Sequence, residues 1–336
     1  MVLIRLFREL FRRPSVSRAV GRSPIDDAAG PDIEILLREG YACHARSDRA
    51  TVEVNCRKIL QFDERQPDAW HLLGLSALEM GQYALAVEYL SKAIAANPAV
   101  AYFYNDCGEA HRRMGELDEA IGLYQKAIAI KRDYADAYNN LGNARYVTGN
   151  FSEAIELFHQ AISIKPDYAQ AYSNLGVALS DLGQIDEAIE SYGEAIRLRP
   201  DLAEAHTCLS MALLQSGDFV RGWQEYEWRW PRKGLCVQKL FPQPLWRGEE
   251  ISGKTVLLHA EQGYGDTIQF IRYAPLIADR GATVLVLCHQ ELAPLLQSIK
   301  GISRVLENGQ PLPDFAVSST SAGCTANEMP ALRRSS

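Results

Sequence analysis

Apolar residues along the first two thirds of the chain recur at helical spacing in paired runs, and the pairs repeat every 34 residues. Gly74, Gly108, Gly142 and Gly176 form one column of that period, and Gly81, Gly115, Gly149, Gly183 and Gly217 form a second. Alanine fills two more: Ala86, Ala120, Ala154 and Ala188, then Ala93, Ala127, Ala161 and Ala195. An aromatic opens each unit (Trp70, Tyr104, Tyr138, Tyr172), and Pro98, Pro166 and Pro200 close three of them, with Arg132 in the remaining place. Each unit reads as two helices joined by a turn. After residue 254 the pattern changes. KTVLLHA (254–260), ATVLVLC (282–288) and a segment near 303–306 read as strands. They alternate with an amphipathic helix, DTIQFIRYAPLIADRG (266–281), and a short helix at about 291–298.

The columns have physical reasons. Glycine inside a helix costs about 1 kcal/mol relative to alanine, so a glycine column implies close approach, here of a first helix carrying Gly to a second carrying Ala. The Gly81 to Gly217 column supplies the turn between them. Asp118 and Asp186 stand where they would cap the second helix, and the proline then stops it. After the units comes GWQEYEWRWP, in which Trp223, Tyr226 or Glu227, and Trp230 share a helical stripe; it reads as a cap sealing the array against the next domain.

This pattern resembles the tetratricopeptide repeat, a helix-turn-helix unit that stacks into a solenoid. Four good units cover 67–202. A degenerate unit at 33–66 keeps Gly40 but has Ser47 and Val52 in the other columns, and a further one at 203–236 has Ser210 and Gly222 where Gly and Ala are expected. The expectation is about five repeats, ten helices in five stacked pairs over 33–230, closed by the tryptophan-rich cap. The fold class is thus an all-α tetratricopeptide solenoid followed by a partial α/β, Rossmann-like lobe. Its parts are a basic segment and linker at 1–32, the solenoid at 33–236, a linker at 237–253, the α/β lobe at 254–315 and an unstructured tail at 316–336.

The resemblance implies a peptide-binding scaffold lined by first-helix side chains. Those would be Asn105, Asp106, Glu109 and Arg112, then Asn139, Asn140 and Asn143, then Ser173 and Asn174. A row of side-chain amides both donates to and accepts from an extended main chain, and it is similar to the asparagine ladder of the O-linked N-acetylglucosamine transferase solenoid. The bland alternative is a solvated polar helix face. Paired Lys/Arg of the kind that clamps a peptide's terminal carboxylate are lacking.

Charge narrows the partners. Residues 1–22 carry six arginines and one glutamate, leaving 29 basic against 41 acidic residues elsewhere, so nucleic acid is not an expected partner. Within residues 1–13, Leu3, Phe7, Leu10 and Phe11 share a face apart from Arg5, Arg8, Arg12 and Arg13; this segment reads either as a weak contact to anionic membrane or as a solvated extension. The seven cysteines are scattered and form no C-x-x-C pair, which fits reduced thiols in a cytoplasmic protein, peripheral at the membrane if the basic segment binds lipid, and no metal site.

Between the first strand and helix of the lobe lies EQGYGDT. Gly263 and Gly265 would permit a tight turn and an anion at the helix start, with Asp266 as N-cap in the plain reading. Ile268 occupies the third place of a dinucleotide fingerprint, which therefore fails. The stretch from about 220 to 315 is similar to bacterial proteins that join tetratricopeptide repeats to a heptosyltransferase-like, two-lobed glycosyltransferase. That resemblance implies Asp266, with Gly265 and Pro275 matching the motif, as the base activating an acceptor hydroxyl. It also implies a nucleotide-sugar donor for a complete enzyme, and otherwise no cofactor. Because the sequence after Phe315 lacks a donor lobe, the lobe is expected to be truncated and inactive. The leading function is a protein-binding scaffold carrying this lobe, and the alternative is a glycosyltransferase acting on a protein or glycan.

Overall fold

The computed structural model describes residues 32–229, 241–246, 248–260 and 263–320. The basic segment 1–13, Trp230, Cys236, Cys324 and most of the expected tail lie outside them. The chain divides into two compact units, 1–166 and 167–336.

The first unit holds eight helices among its described residues: α1 Ile33–Ala45, α2 Arg49–Phe62, α3 Pro67–Glu79, α4 Tyr83–Ala96, α5 Ala101–Met114, α6 Leu117–Ile130, α7 Ala135–Val147 and α8 Phe151–Ile164. They form four helix-turn-helix pairs, in which the first helices α1, α3, α5 and α7 also meet one another in succession and so line one face. Gly81, Gly115 and Gly149 take positive φ (71°, 84° and 80°) at the turns, a conformation that costs other residues about 1–2 kcal/mol. Ser47, which stands in the same column, takes φ 60°.

The glycine column answers to a different neighbour from the expected alanine backbone. A Cβ at Gly74 would lie 2.6 Å from Leu90, one at Gly108 2.7 Å from Tyr124, and one at Gly142 2.6 Å from Phe158. The second helix thus lays a large side chain, itself buried, over the glycine, while Ala86, Ala120 and Ala154 are fully buried beside it. Asp118 is not a cap: Glu116 holds the N-cap position of α6 without a side-chain capping bond, its carboxylate meeting His111 Nδ1 at 2.6 Å instead, which leaves Asp118 inside the first turn, where it acts on the helix dipole. True aspartate caps occur on the degenerate unit, where Asp32 accepts from Ile35 N–H at 3.2 Å and Asp48 from Thr51 N–H at 3.3 Å.

The second unit contains α9 Ala169–Asp181, α10 Ile185–Leu198, α11 Ala203–Ser216 and α12 Phe219–Tyr226, with a 3-10 turn at Glu227–Arg229. Asp186 likewise lies within the first turn of α10, behind an N-cap Gln184. Counted over both units, the described helices up to residue 226 make six pairs, not five, because both degenerate units fold completely.

The rest of the second unit is a four-stranded parallel sheet ordered β3-β2-β1-β4: β1 Thr255–His259, β2 Thr283–Cys288, β3 Ile302–Glu307 and β4 Val317–Thr320. Alternate residues serve its two faces, with Val256, Leu258, Val284 and Val286 in one core and Leu257, Leu285, Leu287 and Leu306 in the other. The expected single helix at 266–281 is broken into α13 Tyr264–Phe270, a 3-10 turn and α14 Ala274–Asp279, because Pro275 has no N–H to continue it. A last short helix, α15 Ala293–Leu296, follows β2.

Two further expectations are corrected here. Val317–Thr320 lie not in an unstructured tail but in β4, paired along β1 from Val256↔Val317 to His259↔Thr320. Part of the supposed linker is anchored as well: Trp246 N–H donates to Ser318 O at 2.7 Å, Ser318 N–H donates to Pro244 O at 3.0 Å, and Trp246 and Ile251 are buried.

Candidate functional site

The first-helix face of the first unit carries a chain of hydrogen-bonded side chains. Asn139 donates to Asn140 Oδ1 at 3.4 Å, Asn140 donates to Asn105 Oδ1 at 3.0 Å, and Asn105 donates to Asp106 Oδ1 at 3.1 Å. Asp106 Oδ2 receives His71 Nε2 at 2.7 Å, and His71 Nδ1 faces the Tyr41 hydroxyl at 3.4 Å. Asp68 then accepts from both Tyr102 (3.1 Å) and Tyr41 (3.4 Å). Burial first, and the Asp68 carboxylate second, push both tyrosine hydroxyls above their ordinary range, so they stay protonated as donors. The chain runs from α7 through α5 and α3 to α1.

This arrangement changes the meaning of the amide row. Asn105 and Asn139 are 6% and 4% exposed, so they are buried members that hold their neighbours rather than surface contacts. Asn140 is half-buried and spends one N–H and one lone pair on the chain, which leaves one of each. Asn143, one turn further on, is half-buried and makes no hydrogen bond among the described residues.

Glu109 occupies the same face. It takes Arg112 in a two-pronged contact at 2.7 Å per prong and Arg113 at 2.7 Å. Burial raises its carboxyl, but the two guanidinium groups more than offset that and hold it below the usual carboxylate value. Arg112 is therefore committed within the protein.

In the second unit, Asn174 accepts from Gln170 at 3.1 Å and Ser173 is buried. Sequence reasoning began the row at Asn105 and missed His71, Asp68, Tyr102 and Tyr41. The signal was present: His71 stands one period before Asn105, and Asp68 one period before Tyr102.

The turn after β1 gathers less. The N-cap of α13 is Gly263, with φ −16°, and Asp266 sits exposed in the first turn, bonded to nothing among the described residues. Gly265 lies inside the helix; neither glycine has positive φ, and a Cβ on either would meet nothing within 4 Å. The expected tight turn does not require them. Tyr264 packs edge-on to His289 at 5.3 Å. Among the described residues no cluster of three metal-ligating side chains occurs, and no helix is long and apolar enough to cross a membrane.

The paired helices, the turn glycines and the shared first-helix face define a tetratricopeptide-repeat solenoid. Family models agree: tetratricopeptide-repeat models match residues 67–100 and 133–201, and a TPR-repeat model matches 108–149. No curated protein matches the chain. Among solved structures, the APC/C hetero-tetramer Cut9–Hcn1 is similar with TM-score 0.53 at 20% identity, over 60% of this chain and 41% of that one, which shows the fold. A MamA protein is similar at 29% identity over 51% of this chain and 94% of its own, with TM-score 0.43. PilF of Pseudomonas aeruginosa is similar at 24% identity over 52% and 78%, with TM-score 0.48.

Proposed function

We propose that the chain is a protein-interaction scaffold whose first-helix face binds an extended peptide. The observation that carries this reading is Asn140. Its amide is fixed on both sides by Asn139 and Asn105, yet keeps one donor and one acceptor, the pair that a peptide unit presents in return. Asn143 adds an uncommitted amide one turn away. A prepaid orientation of this kind lowers the entropy cost of binding, and contact through main-chain groups gives broad sequence tolerance.

The test is a peptide array probed with the full chain and with the double variant Asn140→Ala, Asn143→Ala. The expected result is loss of binding in the variant at unchanged helical circular dichroism. Equal binding by both proteins would return the amides to a solvated face.

The sheet takes a second reading. Its parallel order, with β1 between β2 and β4, supports an opening half of a Rossmann-like lobe, while a glycosyltransferase type for that lobe rests on the sequence resemblance alone. Asp266 would then hold an acceptor hydroxyl beside a nucleotide-sugar donor. The family matches lie within 67–201 and lend this reading nothing, so the scaffold stands first. Lipid contact through residues 1–13 rests on their sequence, and its test is salt-sensitive sedimentation with anionic vesicles, lost on deleting those residues.

A further inference from the structure

The first-helix face that carries the amides is also unevenly charged. Helices α3, α5 and α7 hold five carboxylates, Asp68, Glu79, Asp106, Glu109 and Asp136, against three arginines and no lysine. The arginines are spent. Arg112 and Arg113 each grip Glu109 at 2.7 Å, and Arg145 reaches Glu153 of α8 at 3.0 Å. Glu79 is met at 3.6 Å by Arg49 of α2. That leaves Asp68, Asp106 and Asp136, one on each first helix, and none of them has a Lys or Arg partner among the described residues.

Each of the three keeps capacity to accept. Asp68 Oδ1 takes the hydroxyls of Tyr41 and Tyr102, and its Oδ2 takes no bond among the described residues. Asp106 takes the Asn105 amide on one oxygen and His71 on the other, which leaves a second lone pair on each, and its side chain is 23% exposed. Asp136 is half-buried and bonded to nothing among the described residues.

Placement ties this row to the amides. Asp136 stands two periods after Asp68 and one after Tyr102, whose hydroxyl holds Asp68. On α7 it lies four residues before Asn140 and seven before Asn143, the spacing of one helix face. Asp106 stands one period before Asn140 and is joined to it through Asn105. A carboxylate drawn part-way out of water without a counter-charge loses hydration that its neighbours only partly replace. A bound cation supplies the missing charge.

Building on the peptide-binding function proposed above, we propose that the extended peptide is basic: its main chain meets Asn140 and Asn143 while its lysine or arginine side chains pair with Asp136, Asp106 and Asp68. The pitch agrees. Packed helices lie about 8–10 Å apart, and a polyproline II chain returns a side chain to the same side every three residues, over about 9 Å. Cations three residues apart therefore stay in step with the aspartates. Acidic peptides are rejected by the same row, because like charges repel and the arginines of these helices are already occupied.

The test is fluorescence anisotropy of the full chain with labelled peptides of about twelve residues, built on Ala-Thr-Lys, Ala-Thr-Gln or Ala-Thr-Glu repeats. The lysine peptide should bind about tenfold tighter than the glutamine peptide, the glutamate peptide should not bind, and added salt should shrink the lysine preference. Asp136→Asn should cut that preference about threefold to tenfold at unchanged helical circular dichroism, and Asp136→Glu should keep it. Glu156→Gln changes the net charge equally but at an exposed position of α8, and should leave the preference as in the wild type. Equal binding of the lysine and glutamine peptides, or equal losses in Asp136→Asn and Glu156→Gln, would overturn the basic-peptide assignment and leave peptide binding itself standing. The double variant Asn140→Ala, Asn143→Ala should instead weaken the lysine and glutamine peptides alike. Failure of every peptide to bind the wild type would overturn both.

Discussion

In the first-unit repeats, the glycine of each first helix lies under a buried side chain, with Cβ space closed to 2.6 Å at Gly142, whereas Gly263 and Gly265, at the start of the helix that follows β1, have open space around them. A residue type that costs helix stability everywhere is thus required in one region and dispensable in the other. The period made the difference visible. When four units repeat a costly residue in the same place, the same packing demand must recur in each; a lone Gly-x-Gly restates nothing, and its motif meaning depends on surroundings that the sequence does not show.

The sharpest way to break the comparison is to remove what the column glycine makes room for. Phe158 is 1% exposed and lies over Gly142, and Phe158→Ala should cost about 3–5 kcal/mol in a denaturant titration. Gly142→Leu should cost about 1–3 kcal/mol through overpacking. The two should not add. In the Phe158→Ala background the same substitution enters emptied space, and a cost equal to that in the wild type would show that the ring is not the reason for the glycine.

Next in size is the amide chain. Asn140→Ala leaves the Oδ1 of Asn105, a 6% exposed residue, without its 3.0 Å donor, and should cost about 1–2 kcal/mol. Asn143→Ala, which breaks no bond among the described residues, should stay within about 0.5 kcal/mol. Equal effects at the two positions would mean that the chain contributes no stability.

How much could be read from the sequence follows the same line. The helix pairs, the turn glycines and the buried alanines were legible because residue identity repeats. The column Leu90, Tyr124, Phe158, Tyr192 has the same period but changes residue type, and so the partner of the glycines was misassigned. The polar chain starts at His71 and Asp68 rather than at Asn105 for the same reason: His, Asn, Asn and Ser share a position without sharing a name. β4 has no apolar run to announce it, being Val-Ser-Ser-Thr, and is held by backbone pairing to β1 and to the Pro244–Trp246 segment. Asp118 and Asp186 were displaced into the helix by two residues, a shift that turns a cap into a dipole contact.

A gain in stability should come from making the degenerate unit obey the column. Ser47 takes φ 60° where its counterparts are glycine, and Ser47→Gly relieves that conformation while loosening the unfolded chain. The expected net is a gain of about 0.5–1 kcal/mol, measured as a raised denaturant midpoint at unchanged slope.

The smallest effect tests the other side of the comparison. Gly265 lies inside α13 with ordinary φ, exposed, and with nothing within 4 Å of where a Cβ would sit. Alanine there restricts the unfolded chain and adds helix propensity without a clash, so Gly265→Ala should stabilise by about 0.5 kcal/mol or less. The same change at Gly142 sets the new methyl against Phe158 and should destabilise. Opposite signs for one substitution at two helical glycines separate packing from propensity. If Gly265→Ala destabilised instead, space around Gly265 would have to be occupied by something that the described residues do not supply, and the loop after β1 would regain its claim as a binding turn.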